Sequence, residues 1–141
     1  LGAGVPFATN KADFTVGASA LPGHAGEAVY GNFFGPADRY TFATPHAVAW
    51  DRRGREVTLV HADARSVAWD VADDGTVVGM LQTADEKHLA FRWRHGRVQF
   101  LDDLPHPPGW RFESAYAVAS DGSIVGIGTY QGIATAFVWH E

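Results

Sequence analysis

Two stretches of this chain line up with each other along twelve positions. Ala68-Trp69-Asp70-Val71-Ala72-Asp73-Asp74-Gly75-Thr76-Val77-Val78-Gly79 aligns without a gap on Ala115-Tyr116-Ala117-Val118-Ala119-Ser120-Asp121-Gly122-Ser123-Ile124-Val125-Gly126. A fixed period constrains a fold more than composition does, because each repeat must be one supersecondary unit that buries its apolar face against a like neighbour. A divergent earlier copy begins at Asp13-Phe14-Thr15-Val16-Gly17-Ala18, takes an insertion through Leu21, Pro22 and His24, and resumes at Glu27-Ala28-Val29-Tyr30-Gly31.

Each copy runs through a variable loop into an Ala-x-x-Trp strand: Ala47-Val48-Ala49-Trp50, Ala90-Phe91-Arg92-Trp93 and Ala136-Phe137-Val138-Trp139. Two copies continue through a charged glycine turn into a further strand, Arg55-Glu56-Val57-Thr58-Leu59-Val60 and Arg97-Val98-Gln99-Phe100-Leu101. Asp74-Gly75 and Asp121-Gly122 supply the positive φ of a tight two-residue hairpin turn, and Gly79 and Gly126 inside a strand mark a bulge or a close backbone approach. No stretch keeps a helical apolar period, so no helix is expected.

The reading is all-β: three tandem four-stranded antiparallel meanders, blade-like, at about 12–60, 66–104 and 112–141. Residues 1–11 read as the end of a preceding blade, since Leu1 to Phe14 resembles Leu101 to Tyr116, and the last blade lacks most of its outer strand. Propellers close with about four to eight blades. Three blades therefore leave a two-chain ring, an open filament or a fragment of a longer propeller, and the two-chain ring is the favoured expectation because closed homo-oligomers are commonest.

The pattern Ala-x-x-Val-x-x-x-Gly-x-Val-Val-Gly, a loop, an Ala-Phe step, Trp and a glycine turn resembles the bacterial extracellular repeats named for their His-Ala-Phe triplet. His46-Ala47 keeps the first two letters, and Ala90-Phe91 and Ala136-Phe137 keep the last two. The resemblance implies a propeller-like β fold and bacterial export. It implies no activity, because that family has no common chemistry. A chain that starts at Leu1 without an initiator Met is read in the same direction, as one trimmed upstream.

Composition removes several classes. The 141 residues are 46% hydrophobic and carry a net charge of -5, with no Lys or Arg run longer than two, so no electrostatic footprint for nucleic acid exists. No apolar run is long enough to span a bilayer as a helix. With no cysteine, disulfides and thiolate metal sites are excluded. The seven histidines include no helical i, i+4 pair, and Asp73-Asp74 and Asp102-Asp103 lack the calcium-loop pattern, so no metal or other cofactor is expected.

Sequence varies most between copies in the loops of one rim, where a rigid frame usually carries function. Aromatic faces beside directed polar groups suit sugar or peptide recognition. The candidate ligand-binding residues are Phe34, Arg39, Tyr40, Asp85, Trp110, Arg111, Tyr130 and Gln131. Trp50, Trp93 and Trp139 read as packing residues instead. The expected function is a secreted, non-enzymatic, carbohydrate-directed (lectin-like) module that partners with itself and with a glycan or cell-surface ligand. The alternatives are a structural protein polymerising edge to edge into a surface or matrix fibre, and a glycosidase using Asp102 or Asp103 with Glu113.

Overall fold

The computed structural model describes residues 4–20, 45–61 and 64–141. Among them, eleven strands form three antiparallel sheets. The first contains β1 (Gly4–Thr9), β2 (Thr15–Ala20), β3 (Pro45–Trp50) and β4 (Glu56–Thr58), and the second β5 (Arg65–Val71), β6 (Val77–Gln82), β7 (His88–Arg94) and β8 (Arg97–Phe100). The third has β9 (Trp110–Val118), β10 (Ile124–Tyr130) and β11 (Ile133–Trp139). Strand order follows chain order in each, and among the described residues the only helical element is the 3-10 turn Leu101–Asp103. Sheets of four, four and three strands agree with the repeat, and none of them is closed on itself.

The repeat phase of the first sheet differs from the sequence reading. Residues 4–9 are its own first strand, paired with β2, and not the end of a preceding blade. The cause is the turn chemistry. Here Asn10 and Asp13 stand where the other copies have Ala72 and Gly75: Asn10 N–H donates to the Phe14 carbonyl as Ala72 N–H does to Thr76, and Asp13 takes φ 56° where Gly75 takes 86°. With no Asp-Gly to mark it, this hairpin escapes detection. The insertion accordingly falls between β2 and β3, not inside the first hairpin.

The Asp-Gly hairpins also differ from a two-residue turn. Gly75 N–H donates to the Ala72 carbonyl and Ala72 N–H to that of Thr76, which closes a three-residue loop. Only the glycine, Gly75 or Gly122, has positive φ, whereas a two-residue type I′ turn would require it of the Asp too. The Asp instead folds back: Asp74 accepts from Thr76 N–H and Asp121 from Ser123 N–H, each at 2.8 Å. True two-residue turns occur at His95-Gly96 and Gln131-Gly132, where both residues have positive φ.

Gly17, Gly79 and Gly126 are structurally equivalent. A Cβ at each would collide with the carbonyl oxygen of Val5, Val67 and Ser114 respectively, on the neighbouring first strand. Opposite each glycine the first strand carries one extra residue, and that residue is aromatic every time: Phe7, Trp69 and Tyr116. The bulge turns these rings toward one another. Phe7 meets Trp69 edge-on at 4.8 Å and Trp69 lies 5.9 Å from Tyr116, a column with one ring from each sheet.

The sheets stack in series. β5 packs across β1, β2 and β3, and β9 packs across β5, β6 and β7. Val16, Ala49, Ala68, Val77, Leu81 and Phe91 fill the first interface; Val78, Ala90, Phe112, Ala115, Ile124 and Phe137 fill the second. The middle sheet buries residues of one parity against its predecessor and of the other against its successor, so β6 is buried from end to end. Val71 and Val118 hold like positions, both buried just before a hairpin.

Polar bonds fix the stacking. Ser66 Oγ accepts from Ala47 N–H at 2.8 Å inside the first interface, and Asp70 accepts from Val118 N–H at 2.9 Å across the second. Arg92, 3% exposed, donates to Gln99, faces Glu141 at 3.5 Å and lies over the Trp139 ring at 5.2 Å.

Candidate functional site

Four of the residues expected from sequence gather at one end of the third sheet. Trp110 opens β9 and Tyr130 ends β10, directly opposite in the ladder, with ring centroids 5.2 Å apart. Trp110 lies parallel to the buried Phe112 at 5.8 Å, because residues two apart on a strand share a face. Phe112 stacks edge-on with Phe137 at 4.6 Å and with His106 at 5.1 Å. Tyr130 is thus the outer member of an aromatic cluster whose base is core, and it is 40% exposed.

Gln131 follows in the type I′ turn at φ 50°. Its N–H donates to the Gly109 carbonyl at 2.8 Å, which pins the turn to the start of β9, and its amide lies 3.5 Å from the Tyr130 hydroxyl. Asn, Asp or Gly normally takes this place at lower cost. Arg111 is exposed and, one residue from Trp110, points to the opposite face of β9.

Asp85 stands apart from this group, in the turn between β6 and β7. There it bonds the Thr83 hydroxyl and pairs with Lys87 at 3.3 Å. The Thr83 hydroxyl, followed by Lys87, holds its carboxyl below the ordinary aspartate value. Phe34, Arg39 and Tyr40 lie outside the described residues.

The three repeated tryptophans do not form a shared surface. Trp139 is buried and donates to the Pro105 carbonyl, Trp50 donates to Glu56, and Trp93 packs against the first interface. Asp102 is also committed, accepting from Phe112 N–H at 2.8 Å. No group of three or more His, Asp or Glu that could hold a metal occurs among the described residues.

At the opposite rim, sequence reasoning saw the hairpins only as turns. The tips of the first two sheets border a cleft of about 600 Å³, with Phe14 and Trp93 beside Asp51, Arg52, Arg53, Asp73 and Asp74. Asn10 donates to the Ala72 carbonyl, and Lys11 bonds Asp73 through its N–H and its ammonium, tying the two tips together. Asp51, Asp73 and Asp74 all lie below the ordinary aspartate value, each held there chiefly by a backbone N–H, from Arg55, Lys11 and Thr76 respectively. Their acceptor capacity is largely spent on the turns. The signal available in sequence was the recurrence of Asp at the hairpin tips, at Asp51, Asp74 and Asp121, each two residues before the N–H that it accepts from.

These features define a class: a protein of serially stacked antiparallel meanders with an aromatic cluster at one rim. The chain matches no known family model, no curated protein and no solved structure.

Proposed function

We propose that this chain is a secreted, non-enzymatic binding module of propeller-like build, directed at carbohydrate through the Trp110–Tyr130 rim. One observation carries the reading. Gln131 occupies a left-handed conformation that costs a non-glycine residue about 1 kcal/mol, and this sets a long amide beside an exposed aromatic face. A flat apolar platform with a directed donor and acceptor is the arrangement that sugar recognition uses.

The non-enzymatic part of the proposal has support in the acidic residues. Of the carboxylates open to a catalytic reading, Asp102 is engaged in holding backbone, accepting from Phe112 N–H. Export, and kinship with the His-Ala-Phe repeats, rest on the residue pattern of Ala90-Phe91 and Ala136-Phe137.

The test is a glycan array with the purified chain, followed by titration of any sugar retained. Binding is expected for the wild type, with a loss of up to about tenfold for Tyr130→Ala, the value of roughly one stacking contact. Gln131→Gly should weaken binding while leaving the fold intact. Silence across glycans, or binding indifferent to Tyr130 and Gln131, overturns the proposal.

A further inference from the structure

The third sheet is built like the first two, yet among the described residues no strand packs across one of its faces. On either side of the equivalent glycines stand Val16 and Ala18, Val78 and Met80, and Val125 and Ile127. The first four are at most 2% exposed, whereas Val125 and Ile127 are 40% and 42% exposed. On the next strand Ala49 and Arg92 are buried, and their counterpart Val138 is 61% exposed. Neither β10 nor β11 contains an Asp, Glu, Lys, Arg or His. β11 is moreover a seven-residue edge, while the last strands of the other sheets, β4 and β8, are three and four residues long and carry charge. Such a face and edge, long, apolar and uncharged, mark an association surface.

The two internal interfaces show what fits it. In both, the covering element is the first strand of the next meander: β5 crosses β2 and β3, and β9 crosses β6 and β7. That strand buries Ala68 and Val71 in one case, Ala115 and Val118 in the other. The matching strand at the head of the stack is β1, where the equivalent Pro6 and Thr9 are exposed and Phe7 is 41% exposed. Among the described residues no strand crosses β10 and β11 on this face, while at the head of the stack β1 presents Pro6 and Thr9 exposed.

We infer that a second copy of this chain covers the third sheet, its β1 lying across β10 and β11 as β5 and β9 lie across their predecessors. The contact is head to tail, using different surfaces on the two copies. It either closes a ring or propagates, depending on the rotation it imposes. It is independent of the rim reading, since it uses sheet faces and not the Trp110–Tyr130 end.

Sedimentation of the whole chain over micromolar to millimolar concentration tests it. The expected mass is at least twice that of one chain. Ile127→Glu in the tail and Pro6→Glu in the head should each reduce it to single chains, with thermal unfolding unchanged because both positions are exposed. A mixture of the two variants should recover a two-chain species, since each contributes the half that the other lacks. A single-chain mass for the wild type at every concentration overturns the inference. So does assembly unaffected by either variant. Assembly lost with Ile127→Glu but retained in full with Pro6→Glu also overturns it, because that outcome describes two tails meeting.

Discussion

At the scale of single residues, the fold turns on one atom that is missing in three places. Gly17, Gly79 and Gly126 each let a bulged first strand bring a carbonyl oxygen to where a Cβ would be. None of the three carbonyls is a flexible side-chain end, so the backbone itself must move to accept a methyl group. Gly126→Ala should cost about 1–3 kcal/mol, read as a lower denaturant midpoint with unchanged slope. The hairpin aspartates give a second expectation. Asp74 is held below its ordinary value by Thr76 N–H, and Asp121 by the Ser123 hydroxyl and then its N–H. Because the folded-state values are depressed, the stability these groups add is complete above about pH 4–5 and lost as pH falls through them. Acid titration of unfolding should show a decline below that window that is shallower in Asp74→Asn, and an unchanged profile would contradict this account.

At the scale of elements, the strands supply apolar faces on both sides, while a few polar groups decide how one sheet sits on the next. Ser66 Oγ receives Ala47 N–H in a fully buried setting. Ser66→Ala leaves that donor without its partner, an expected loss of about 1–3 kcal/mol, larger than the loss of an exposed hydrogen bond. Thermal melts of Ser66→Ala and of the exposed Thr135→Ala compare the two cases directly. The turns vary more than the strands do. The first hairpin builds from Asn10 and Asp13 what the others build from Asp-Gly. Placing glycine at Asp13, now at φ 56°, should raise stability by about 0.5–1 kcal/mol, measured as a higher melting temperature.

At the scale of the whole molecule, the stack is a short one-dimensional series in which the middle sheet has two packed neighbours and the third has one. Stability in such arrays sums over units and their nearest-neighbour interfaces. Phe137→Ala empties the second interface at the terminal sheet, so hydrogen exchange should quicken across 110–139 while β5 to β8 keep their protection. Phe91→Ala, in the middle sheet and wholly buried, should cost about 3–5 kcal/mol and expose the first two sheets together. The alignment of residues 68–79 with 115–126 was enough to specify antiparallel meanders in tandem, because strand alternation, Gly and Asp-Gly are local instructions. Local chemistry also brought Trp110, Tyr130 and Gln131 into view as rim residues. It missed β1, since that strand is recognisable only by its pairing with β2, and it missed that Asp85 and Arg111 stand apart from the aromatic cluster. Those outcomes depend on which residues end up opposite one another across sheets, which is set by bulge position and stacking register. Tertiary structure alone decided which apolar faces are buried: Val78 and Val125 are the same residue in the same repeat position, and only the packing of a further strand distinguishes them.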